Sequence, residues 1–157
     1  MVDLKAKPFY LSDSDVEWVQ ETIRGMTLEE KIGQLFIMLD RKKDKEETKR
    51  IFDTYHIGGC RYQNEPAEKI YEQNKYYQEC SKIPVLIACN CDNGGSGACS
   101  DGTHIATAAA CGASEGSDVA YDVGYVSGRE GTAVGCSWDY RAARHFSGFR
   151  CAIVQRR

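Results

Sequence analysis

Apolar positions recur along this chain with two alternating periods, and the switches between them outline its elements. Val16, Val19, Ile23 and Met26 are spaced as one helical face, and Ser14 with Glu17 offers a capping box, so a helix is predicted over 15–25, stopping near Gly25. Thr27 with Glu30 repeats the box. Leu28, Ile32 and Leu35 share a face of the short helix it starts, which runs into an apolar strand over 35–39. The segment 41–50 is charged, with Glu46 four residues before Arg50, and reads as the solvated face of a helix continued by Ile51 and Phe52. A glycine-containing strand is predicted over 56–62. Pro66 opens a helix to about Cys80, with Ile70, Tyr71, Tyr77 and Cys80 as its packed side.

The run Pro84 to Cys89 is continuously apolar, as a strand covered on both faces would be. After a glycine-rich loop, Ser117 caps a helix to about Ala133 with Val119, Val123 and Val126 inward, and a fourth strand is predicted over 134–140. Helices therefore separate successive strands. The pattern predicts a parallel α/β fold.

Composition narrows the class. With 42% hydrophobic residues, 27% charged and 3 Pro in 157 residues, the chain reads as one globular domain, long enough to bury roughly 70% of its unfolded surface without staples. No apolar run approaches the ~18 residues of a membrane span, and the start, MVDLKAKPFYL, has no long apolar stretch of a secretion signal. A reducing cytoplasm is the expected compartment, with no membrane partner.

None of the 8 cysteines forms a Cys-x-x-Cys pair, which disfavours a metal site and favours buried reduced thiols. Cys89 and Cys91 should point to one face of their strand. Charge is uneven: residues 1–140 carry −8 and residues 141–157, with five Arg and no acid, carry +5, giving the net −3. Five arginines on an acidic body are a poor nucleic-acid surface, and no nucleic-acid partner is expected.

The loop from Asn90 to Gly97 leaves the C-terminal end of the third predicted strand, where parallel α/β folds place ligand-binding groups. It carries neither a lysine-bearing phosphate loop nor Gly-x-Ser-x-Gly, since Ala98 stands where the closing glycine would be, and no cofactor motif is present. Asp92 and Asn90 beside glycines suit the paired hydroxyls of a polyol. Asp92 and Asn93 suit a simple tight turn equally well.

The strings MTLEEKIGQLF (26–36), HIGGCRY (56–62), IPVLIACNCDNGGSGA (83–98) and AYDVGYVSGREGTAVGCSWDY (120–140) together resemble the N-terminal domain of glycoside hydrolase family 3. The resemblance implies a (β/α) barrel of the TIM type of which the four predicted strands are the first half, and a carbohydrate partner. It implies that Asp92 matches the acid of the Asp-x-Glu-Gly-Gly type motif. Asn90 then stands where many members carry a sugar-binding aspartate, with the charge lost. Trp138 falls in the fourth-strand motif, as a sugar platform or a packed strand residue.

Past Tyr140 an apolar run would be expected, and RAARHFSG (141–148) stands there instead, before a segment to Arg157 that resembles the family's sugar-holding arginine loop. A disturbed reading frame between Tyr140 and Phe149 would explain this, so residues 1–140 are taken as the half barrel and 141–157 as a divergent tail. In the family the nucleophile lies on a late strand and the acid/base after the fourth strand or in another domain. The implied reading is a β-glucoside or β-N-acetylglucosaminide hydrolase, inactive as this polypeptide alone. The alternative is a non-catalytic sugar-binding module that self-associates through exposed edges.

Overall fold

The computed structural model describes residues 2–41 and 44–139. Its elements run α1 (Asp13–Gly25), α2 (Leu28–Gly33), β1 (Ile37–Leu39), α3 (Lys45–Tyr55), β2 (Gly59–Arg61), α4 (Ala67–Cys80), β3 (Leu86–Cys89), α5 (Ala108–Ala113), α6 (Asp118–Ala133) and β4 (Trp138–Asp139). The strands form one sheet in the order β1-β2-β3-β4, every neighbouring pair parallel. This is the parallel α/β architecture that the alternation of periods predicts, with three consecutive β/α units and a fourth strand among the described residues, in the order of the barrel type.

Capping shows where local chemistry acts. The box at α2 is the predicted one: Glu30 N–H donates to Thr27 Oγ1 at 3.2 Å, and Thr27 N–H to Glu30 Oε2 at 2.8 Å. At α1 the box is Ser12 with Asp15, not Ser14 with Glu17. Starting earlier brings Asp13 and Asp15 into the first turn, where the helix dipole favours acids. Arg50 likewise pairs with Glu47, through two bonds of 2.8 and 2.9 Å, rather than with Glu46. Ser117 stands at the N-cap of α6 but makes no side-chain cap bond.

The strands are shorter than predicted because helix ends extend into them. Leu35 and Phe36 N–H bond back to Ile32 and Gly33, so β1 begins only at Ile37. The segment after α6 turns through Gly135 at φ +87 before β4 starts at Trp138. Helix α5, with Thr107 as its cap, was not expected, since its Ala-rich run carries little periodicity.

Period-two alternation sorts the sheet into two faces. Met38, Cys60 and Ile87 are register partners on the helix side, and with Cys89 they join a core of Ile51, Phe52, Ile70, Tyr77 and Val134. Tyr71, predicted to pack, is half exposed because it lies one residue round α4 from Ile70. The opposite face carries Ile37, Leu39, Leu86 and Trp138, all exposed. Leu28, Ile32 and Leu35, which were expected to share one helical face, are exposed as well.

Candidate functional site

The C-terminal edge of the sheet gathers the polar residues that end its strands: Asp40 after β1, Arg61 in β2, Asn90 and Asp92 after β3, and Asp139 in β4. Asp40 is 1% exposed, and its Oδ2 accepts from the Tyr77 hydroxyl at 2.6 Å and from Gln73 Nε2 at 3.5 Å. Burial, helped by that carboxylate, pushes the Tyr77 hydroxyl well above its ordinary pKa. Burial first and Asp40 second push the Cys60 thiol up to about 12, which makes it inert at neutral pH.

The glycine-rich loop is a pinned frame. Gly94 has φ +110, a conformation only glycine adopts without strain, and a Cβ at Gly97 would collide with the Asn90 carbonyl. Ser96 N–H bonds the Thr103 carbonyl and Ile105 N–H bonds that of Asn93. From α6, Glu130 accepts from Thr103 N–H at 2.8 Å and from its hydroxyl at 2.5 Å. Asn64 Nδ2 reaches the Ser96 carbonyl at 2.8 Å, and the Tyr62 hydroxyl donates to that of Ala98 at 2.7 Å. Asp101 in turn accepts from Ala67 N–H at 2.8 Å, standing in for the side-chain cap that Pro66 lacks. That bond holds the Asp101 carboxyl below the usual carboxylate range.

Asn90 and Asp92 sit half-buried on this frame, joined by the Asp92 N–H bond to the Asn90 carbonyl at 3.0 Å. The turn reading and the ligand reading of the loop are therefore compatible: the turn presents the side chains. Trp138 lies on the exposed sheet face, register partner of Ala88. Arg157 and the tail expected to diverge from 141 onward lie outside the described residues.

Spacing along the chain gave no signal for Asp40, Arg61 or Asp139. The available signal was positional, a charged residue at the last strand position. Behind the edge, Cys89 and Cys91 face the same way as predicted, with their sulfurs 3.4 Å apart, and Cys91 N–H donates to Asp139 Oδ1 at 3.3 Å. The Cys136 thiol lies 2.8 Å from the Tyr62 oxygen and against Cys89; these bonds lower its pKa while that of Cys89 is raised.

A run of parallel β/α units with an amide and a carboxylate on a loop after the third strand is the arrangement of the start of a barrel-type domain. The chain belongs to glycosyl hydrolase family 3: the family's N-terminal domain matches residues 27–142. It is similar to a β-N-acetylglucosaminidase/β-glucosidase of Cellulomonas fimi, 31% identical over 140 residues, covering 89% of this chain and 25% of that protein. Among solved structures it resembles the β-glucoside phosphorylase BglX bound to 2FGlc, with a TM-score of 0.78 and 34% identity over 88% of this chain and 25% of that one. A second structure of the phosphorylase matches at 33% identity and a TM-score of 0.78, with 24% of its length covered. The chain thus spans about a quarter of the length of these relatives. No helix among the described residues is long and apolar enough to cross a membrane.

Proposed function

We propose that this chain supplies the non-reducing-sugar side of a β-glycoside site, taking a β-glucoside or a β-N-acetylglucosaminide, and that the 157-residue polypeptide alone binds sugar without turning it over. The placement of Asn90 and Asp92 on a pinned loop at the C-terminal edge of a parallel sheet carries the reading. An Asp carboxylate can accept from two neighbouring hydroxyls, and Asn90 adds an acceptor and two donors without charge. Trp138 offers an apolar ring surface on the adjoining strand. Arg157 is proposed as a further sugar contact on the family resemblance. A retaining glycosidase needs two carboxyl groups about 5–5.5 Å apart across the bond, and these roles are assigned to none of the described residues. The names of the relatives share a β-glucoside, which supports this substrate class.

The test is calorimetric titration with methyl β-glucoside and methyl β-N-acetylglucosaminide. Asp92→Ala is expected to weaken binding about tenfold, in keeping with the loss of a charged hydrogen-bond acceptor. Equal affinity in the variant, or hydrolysis of an aryl β-glycoside that survives Asp92→Ala, refutes the proposal.

A second reading rests on the exposed apolar face. Leu35 is 82% and Phe36 60% exposed beside Ile37 and Leu39, an apolar patch at the β1 edge of the sheet. A module with this face buries it by self-association. Light scattering that gives a monomer over a wide concentration range removes this reading.

A further inference from the structure

We propose that Cys89, Cys91 and Asp139 form a site for one thiophilic divalent cation of the zinc(II) type, which clasps β4 to β3. The sheet itself assembles the donors. Cys89 ends β3 and Cys91 lies two residues beyond it, and both sulfurs lie in the helix-side core, 3.4 Å apart. Cys89 and Asp139 are parallel register partners, which puts the carboxylate on that same side.

The three ligand atoms all lie within 4.8 Å of one another. Metal–sulfur bonds of about 2.3 Å in a tetrahedron place two sulfurs ~3.8 Å apart. The 3.4 Å between Cys89 and Cys91 is thus a few tenths of an ångström from a ligating pair. The Cys91 N–H bond to Asp139 Oδ1 orients the carboxylate over the sulfurs, as outer contacts orient ligands in metal sites.

Both ligand cysteines are buried, and α6 closes the site from above: a Cβ on Gly131 would lie 3.6 Å from Cys89 Sγ. Two sulfurs and one carboxylate select a borderline-soft cation over magnesium or calcium. Binding releases the two thiol protons, and with the carboxylate ionised the three ligands and one divalent ion leave the site with a single net negative charge. The clasp would reinforce the two register pairs that join β4 to β3 among the described residues, Ala88 with Trp138 and Cys89 with Asp139. It stands independently of the sugar reading.

Cobalt(II) is the probe, added to the reduced full-length chain in the absence of oxygen. One cobalt per chain is expected, with an intense near-ultraviolet thiolate-to-cobalt band that zinc displaces. Cys91→Ser is expected to abolish the band and Asp139→Asn to weaken cobalt binding about tenfold, while Cys80→Ser leaves both unchanged. Circular dichroism of each variant checks folding. A measurement on the unaltered chain avoids variants altogether: zinc should slow alkylation of Cys89 and Cys91, located by peptide mass, and leave Cys80 unaffected. A missing charge-transfer band, a band that survives Cys91→Ser, or protection confined to other cysteines would each overturn the proposal.

Discussion

The two faces of the sheet are built from alternate residues of the same strands, both apolar, yet one is covered and the other open. On the helix side Cys60 and Ile87 are 0% exposed among aromatic and aliphatic neighbours; one residue along, Ile37 is 40% and Leu86 51% exposed. A strand register fixes both faces at once. The covered face accounts for why the described units hold together. The open face shows what a barrel interior looks like from inside, with apolar side chains meant for cover and a polar rim at one end.

Replacing neighbouring residues should separate the faces most sharply. Ile87→Ala is expected to cost about 2–5 kcal/mol in urea unfolding, the range for truncating a buried aliphatic side chain. Leu86→Ala, on the open side, should change stability by less than about 0.5 kcal/mol. Similar losses for the two would mean that the open face is covered in solution. Tyr77→Phe tests the rim beneath that contrast. It strips the buried Asp40 carboxylate of its 2.6 Å bond and should cost about 1–3 kcal/mol by the same measurement. A neutral result would show that the remaining partners of Asp40, Gln73 among them, satisfy it.

The smallest effect is expected with pH. The Asp101 carboxyl is lowered by the Ala67 N–H, so its contribution is present above the ordinary carboxylate pKa of about 3.9 and is lost as pH falls through its lower folded value. Asp101→Asn should therefore lower stability slightly at neutral pH, with the difference from the unaltered chain fading as pH falls below ~4, so that the acid limb is a little flatter. An unaltered acid limb would assign that limb to Glu30, lowered chiefly by Lys82 and also by the Thr27 N–H, or to Asp15, lowered by Ser12.

What the sequence revealed follows the same division. Periodicity located Ile70 and Tyr77 on the packed face of α4, because burial against a neighbour leaves a repeating mark, whereas the unbroken apolar run of β3 marked the strand and not which of its residues faces the helices. Leu28, Ile32 and Leu35 formed a legible stripe that is exposed here: an apolar stripe states that cover is wanted, and cannot say whether the cover is on this chain. Loop chemistry was legible in Asn90 and Asp92, whose glycine neighbours announce a constrained turn. Asp40 and Asp139 were not, since a single acid after a strand is indistinguishable from a surface residue until the register places it. The thiol pair was seen to share a face, but the carboxylate that joins it comes from 48 residues away, beyond any local spacing rule.

Strand order offers a last consequence. Each strand lies beside the one made just before it, and the densest contacts among the sheet elements join sequential neighbours. A ribosome delivering this chain would present every new strand to an edge already waiting for it. Assembly can then proceed in the direction of synthesis, one unit at a time, with no early segment held idle for a distant late partner.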